Sequence, residues 1–347
     1  MNEVGVKMEK EMIFLSICIP CYNRPKELKR LLDSIDVKDS EIIEIVICDN
    51  DSPCRQQVRE TVTEYSTYSH YNINYVENET NVGYDKNLRE CIKHAQGKFV
   101  MFMGDDDVFI PKTMDTYLEF LKEHDELGYI LRSYRIVHSD GSVEPFKYFP
   151  KTLFFTPGFD TYVSLFRKSV FISGFCFRRE YALDLLTDQF DGSLLFQLFI
   201  QAEICMKYPS AYYSEPFTQM YDGGVPYFGN SEAEKNLYTP GTVTIDNSVN
   251  FVEKYFVLTR FMDQKYGFDS TSFVKKDMSK YSYPILSIQR KNGIKIFKEY
   301  DKRLRNLGLD CTGYYNLYYF LLLLLGEKSC DWGIRFIKKV LKRTPHL

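Results

Sequence analysis

Between Met12 and Val137 the chain alternates short apolar runs with helix-like stretches, and few folds accept that pattern. Met12–Ile19 (MIFLSICI) and Ile42–Cys48 (IIEIVIC) are apolar runs of strand length; Ile73–Val76, Lys98–Met103 and Tyr129–Val137 follow. Pro25 stands where a helix would open, and Leu28, Leu31, Leu32 and Ile35 then repeat at i, i+3, i+4 and i+7, one apolar helix face. A polar helix is expected to about Tyr65. Leu88, Cys91, Ile92 and Ala95 mark another helix, closed by Gly97, and Pro111 to Lys122 a further one. Strands alternating with helices predict an α/β fold with a mostly parallel, doubly wound, Rossmann-like sheet. In such sheets ligands bind at the carboxyl ends of the strands. Four polar loops fall there: PCYNR, CDNDS, TNVGYDKN and GDDD.

Beyond Val137 the pattern loosens. Phe171–Phe177 reads as a strand, Arg179–Leu186 as a short helix, and Leu194, Leu195, Leu198, Phe199 and Ala202 as the face of a helix over 192–206. After Pro216 comes a loop with three glycines, YDGGVPYFGNSEAEKN. The expected division is a catalytic domain over 1–215, a loop or linker over 216–245 and a basic, mainly helical region over 246–347.

With 44% hydrophobic and 26% charged residues, the chain can bury a sizeable core. The net charge of −3 is unevenly spread: from Thr271 onward 16 Lys and Arg face 6 Asp and Glu. That asymmetry predicts different partners for the two ends. Nine cysteines, odd in number and scattered, argue against a secreted disulfide framework. MNEVGVKMEKEM lacks the apolar stretch of a secretory leader, and the apolar run Tyr318–Leu325 is far short of a spanning helix. A cytoplasmic location is expected. Cys18 and Cys21 form a C-x-x-C, but Cys18 falls inside the strand run and the helix starts several residues after Cys21. A redox pair wants its thiol at a helix N-terminus, so the spacing reads as incidental.

Asp105-Asp106-Asp107 directly follows an apolar strand. Clustered carboxylates resist desolvation unless a cation neutralises them, and Mg²⁺ or Mn²⁺ often shares such ligands with a diphosphate. Taken alone the triplet is more often a solvated turn; the strand before it and the loops beside it favour a site. Here the chain resembles the family 2 glycosyltransferases of GT-A fold. The resemblance rests on Pro20-Cys21-Tyr22-Asn23-Arg24, Ile47-Cys48-Asp49-Asn50-Asp51-Ser52, Asn81-Val82-Gly83 with Lys86-Asn87, and Gly104-Asp105-Asp106-Asp107 with Pro111. It covers about residues 12–138, and its opening is similar to bacterial O-antigen and capsule glycosyltransferases, including the abequosyltransferase-like branch. The resemblance implies that Pro20, Tyr22 and Asp49 bind the donor, with Tyr22 stacking on the nucleotide base and Asp49 hydrogen-bonding it. Arg24 and Lys86 would face the diphosphate, and Asp105 the ribose. Asp106 and Asp107 would bind Mn²⁺ or Mg²⁺, with Asp107 beside the donor sugar, and Asn81 and Gly83 would belong to the donor-binding residues.

An inverting transfer needs a carboxylate to take the acceptor proton. Many family members carry an acidic pair opening a helix, with Leu three and Arg six residues after the second acid. Asp191 and Leu194 match; Phe190 and Gln197 depart. Asp191 is the expected base, with Asp188 and Glu203 as rivals, and the competing reading makes Asp191 a cap of the 192–206 helix. The expected partners are a nucleotide-sugar donor and a glycan or polyprenyl-linked acceptor. Trp332–Leu347 holds five Lys or Arg and no acid, and reads either as an ordinary terminal helix or as peripheral contact with an anionic membrane. No nucleic-acid recognition motif accompanies it, so no nucleic-acid partner is expected. The alternatives are a nucleotidyltransferase, which should carry a glycine-rich loop after the first strand that PCYNRP lacks, and a non-catalytic binding protein on the same fold.

Overall fold

The computed structural model describes residues 13–341, with side chains described through residue 334. Its first half follows the alternation. Strands β1 (Leu15–Cys21), β2 (Ile43–Asp49), β3 (Asn72–Glu77) and β4 (Phe99–Phe102) lie parallel in the order 3-2-1-4. Helices α1 (Pro25–Asp33), α2 (Arg55–Ser66) and α3 (Tyr84–His94) make the returns. Pro25 opens α1, and Leu28, Leu31 and Leu32 are fully buried. Burying each such side chain contributes about 1.5–3 kcal/mol. Cys21 is in register with Asp49, so β1 and β2 end level and deliver their loops side by side.

The second half departs from a parallel sheet. It comprises β5 (Val108–Phe109), α4 (Met114–Glu123), β6 (Tyr129–Val137), β7 (Val143–Phe146), β8 (Leu153–Phe155), α5 (Phe159–Phe166), β9 (Phe175–Arg178), α6 (Arg179–Ala182), α7 (Phe196–Lys207) and β10 (Ser210–Tyr221). The ten-stranded sheet continues from β4 through β9, β6 and β10 to β5. β9 runs antiparallel to both β4 and β6, so the sheet is mixed. β10 pairs in parallel with β6, and the division expected at residue 215 falls inside this strand. The helix expected over 192–206 starts only at Phe196. The segment before it turns tightly, with Gly192 and Leu194 both at positive φ.

The remainder is helical: α8 (Ile245–Tyr266), α9 (Ser270–Lys280), α10 (Tyr283–Arg290), α11 (Ile294–Asn306) and α12 (Gly313–Leu341), the last being two helices joined at Gly326 (φ +78°). Side chains alternate across a strand, so the sheet feeds two cores. Ile17, Ile45 and Cys21 pack with α1, α2 and α4 on one face. Cys18 and Val46 pack on the other with α3, α5 and α7, in a cluster that runs on to Leu286 and Tyr315. The helical region therefore shares a core with the sheet. Cys18 and Cys21 face opposite sides, and burial pushes both thiols up, as incidental spacing requires. Among the described residues no helix is long and apolar enough to cross a membrane. Most of the Trp332–Leu347 segment lies beyond the described side chains.

Candidate donor cleft

The loops after β1, β2, β3 and β4 meet at a cleft of about 350 Å³. Its floor is the aspartate triplet. Asp105 is buried and accepts from the Tyr22 backbone N–H at 3.0 Å and from Arg24 Nη1 at 2.9 Å. Burial pushes its carboxyl up to about 6, against the pull of Arg24. Asp107 is also buried, accepts from the Ser173 hydroxyl, and is pushed up to about 7 by burial and then by Asp106. Asp106 differs: its side chain is 35% exposed, and one oxygen lies 3.2 Å from Arg24 Nη1. Of the three, Asp106 is the carboxylate that opens toward a ligand.

Pro20, Tyr22, Arg24 and Asn81 all line this cleft. Asn23 takes φ +59° and donates its N–H to Ser52 Oγ at 2.8 Å, and Tyr22 and Arg24 on either side of it in sequence both reach the Tyr227 ring. Asn81 accepts from Asn50 Nδ2 and from the Gly83 N–H, both at 3.0 Å.

Three expected donor residues stand elsewhere. Asp49 is fully buried; it accepts from Ser52 Oγ and from Arg55 Nε at 3.2 Å, and its neighbour Asn50 lines the cleft instead. Lys86 is exposed and off the cleft wall, because α3 turns Asp85, Leu88 and Arg89 inward and leaves position 86 outward. Asn87, one residue on, reaches the wall. Gly83 (φ +84°) sits behind the wall, where an added Cβ would lie 2.7 Å from Ser231 Oγ.

Asp191 does not line the cleft either. Both its oxygens take N–H groups from the buried guanidinium of Arg89. Nor does it cap α7: Asp85 of α3 accepts from the backbone N–H groups of Leu194 and Phe196, each at 2.9 Å. Burial pushes Asp85 up to about 7. Glu203 is buried and held by Lys265, Lys207 and Tyr266, whereas Asp188 is exposed.

The fourth wall comes from the stretch expected to be a linker. After β10 the chain crosses the cleft mouth before entering α8. Arg24 Nη2 donates to the Val225 carbonyl at 2.7 Å, and Tyr22 meets Tyr227 edge to face with ring centres 5.7 Å apart. Tyr84 meets Phe228 in the same way. Glu234 anchors the loop, accepting from the Tyr84 N–H at 2.6 Å and the Gly229 N–H at 2.8 Å. The aromatic and glycine content of YDGGVPYFG was the available sequence signal; its partners lie roughly 140 to 200 positions earlier, out of reach of local pattern.

A cation here would have few protein ligands. Among the described residues no group of three potential metal ligands exists. Mg²⁺ and Mn²⁺ sites that also hold a diphosphate need only one or two protein carboxylates. Asp106, with Asp107 behind it, satisfies that.

Residues 16–184 match the sequence profile of glycosyl transferase family 2. Abequosyltransferase RfbV of Salmonella typhimurium is 29% identical over 110 residues, 31% of this chain and 33% of that protein. UDP-Glc:alpha-D-GlcNAc-diphosphoundecaprenol beta-1,3-glucosyltransferase WfgD of Escherichia coli is 24% identical over 132 residues, 38% of this chain and 50% of that protein. The alignments thus span about a third to a half of these relatives' length. In fold, the chain is similar to the mannosyltransferase PcManGT from Pyrobaculum calidifontis, solved with GDP-Man and Mn²⁺, at a TM-score of 0.52 and 14% identity, covering 95% of this chain and 87% of that one. Residues 16–184 thus form a glycosyl transferase family 2 domain, and the architecture around it is a GT-A fold.

Proposed function

We propose that this protein transfers a sugar, with inversion, from a nucleoside-diphosphate donor to a glycan or polyprenyl-linked acceptor in bacterial surface polysaccharide synthesis. The observation that carries the reading is the pairing of Arg24 with Asp105 and Asp106 at the carboxyl edge of the parallel strands, with Tyr22 beside it. Tyr22 and Tyr227 offer aromatic surface to a base, and Arg24 offers N–H donors to phosphate oxygens. Asp106 and Asp107 would hold Mn²⁺ or Mg²⁺, which when bound neutralises the charge of the departing diphosphate. The names of RfbV and WfgD support the substrate class, and that of WfgD a lipid-linked acceptor. In this reading the protein works at the inner face of the plasma membrane.

The proton acceptor in this reading is Asp191, which acts in a state where the Arg89 pair has opened toward the acceptor. Glu234, already on the cleft wall, is the carboxylate to compare with it.

The test is a thermal-shift screen of UDP, GDP, CDP and dTDP with and without Mn²⁺. A ligand that binds only the native state raises its melting temperature with saturation. One nucleotide should stand out and its shift should grow with metal. No metal-dependent shift with any of the four would overturn the reading.

A further inference from the structure

We propose that the outward face of the first half of α12, from Tyr314 to Leu325, docks on an anionic lipid bilayer. This goes well with a lipid-linked acceptor but rests on the helix face alone. The segment GYYNLYYFLLLLL (313–325) contains no charged residue. Its inward face is accounted for: Tyr315 and Leu322 are fully buried and Tyr318 nearly so. Its outward face is not. Tyr314, Leu317, Phe320, Leu321, Leu324 and Leu325 are between 40% and 79% exposed. At 100° per residue these six fall within an arc of roughly 140°. A helix apolar on every side is normally buried all round, and a contiguous exposed apolar stripe marks a contact surface.

Length and charge select the occupant. Thirteen residues of helix reach about 20 Å, short of the roughly 30 Å of a bilayer core, so the stripe lies along a membrane and does not cross it. Lys276 and Lys280 of α9, both exposed, share a surface pocket with Tyr314 and Leu317 at one end of the stripe. Lipid phosphates complement an uncharged stripe edged by lysines. A second copy of the chain does not: it brings the same stripe and the same lysines, with no acid on the stripe to meet them.

The experiment is flotation of the full chain with vesicles of phosphatidylcholine, alone or mixed with phosphatidylglycerol, beside sedimentation velocity without lipid. Two double variants accompany the wild type: Leu317→Glu with Leu324→Glu, and Lys276→Glu with Lys280→Glu. All four positions are exposed, so the fold should persist, which thermal melting and the nucleotide-induced shift check independently of membrane binding. The wild type should float with the phosphatidylglycerol vesicles and sediment as a monomer. The stripe variant should lose flotation at least tenfold, and the lysine variant by about fivefold per lysine. Wild type that stays unbound overturns the proposal, as does flotation untouched by the stripe variant. A wild-type dimer that the stripe variant splits gives the face to a second copy. Flotation that appears only when residues 342–347 are removed gives it to that segment.

Discussion

Arg24 and Asp105 hold each other at 2.9 Å across the floor of the cleft, and the same Arg24 nitrogen lies 3.2 Å from Asp106. Replacing Arg24 by Ala leaves a buried carboxylate with the Tyr22 N–H as its remaining donor. Losing a charge-assisted bond there should cost about 1.5–3 kcal/mol of stability, read by urea denaturation. The same loss of a phosphate donor should weaken nucleotide binding by about 10–100-fold, read by isothermal titration.

Asp106 contributes differently. Its charge raises the carboxyls of both Asp105 and Asp107, a repulsion that its 3.2 Å pairing with Arg24 offsets. Asp106→Asn should leave the melting temperature of the free protein unchanged or slightly higher. It should abolish the part of the nucleotide-induced shift that depends on Mn²⁺.

Asp191→Asn keeps the shape of the Arg89 contact but removes the group that would take a proton. Turnover on the true acceptor should fall by about 10²–10⁴, with nucleotide binding intact. Glu234→Gln should instead weaken donor binding, since Glu234 seats the loop at the mouth. Near-normal turnover of Asp191→Asn would confine Asp191 to its ion pair.

Asp85 sets a pH dependence. Its folded pKa is about 7 against an ordinary 3.8, because burial disfavours the charged form. Its contribution to stability is full below about pH 4 and is lost as pH rises through about 7. Asp105 and Asp107 shift in the same direction, so the useful quantity is the difference between proteins. The fall in unfolding free energy from pH 5 to pH 8 should be smaller in Asp85→Asn than in the wild type, in urea melts at each pH.

Gly192 (φ +77°) packs against the loop that carries Glu234: an added Cβ would stand 2.2 Å from the Ala233 carbonyl oxygen. Backbone cannot yield as a flexible side chain can. Gly192→Ala should cost about 1–3 kcal/mol and loosen donor binding through the displaced loop, seen together in melting and titration.

What could be read from the sequence divides along physical lines. β1 to β4 announce themselves as apolar runs because both faces of a central parallel strand are buried. Strand ends and turn chemistry, which are local, placed the loops of Tyr22, Arg24 and Asp106, while the roles of these residues came from the family resemblance. β9 reads as a strand, but its antiparallel direction depends on which neighbours it finds, and local pattern does not encode that. Lys86 and Asn87 show the same limit at one helix: charge suggested Lys86, while the helical period set by Asp85, Leu88 and Arg89 turns it outward. The surroundings of Asp191 show the limit again. A helix-opening acid was legible, but not the Arg89 guanidinium that claims it, nor Asp85, which takes over the helix terminus from another element.

The chain between β10 and α8 is both wall and passage. Val225 and Glu234 tie it to Arg24 and Tyr84, so a nucleotide leaving by this side would require the segment to lift. Such motions are slow beside bond chemistry and frequently set kcat. The enzyme would then show a rapid first turnover followed by a slower steady rate, and that steady rate would fall as solvent viscosity rises.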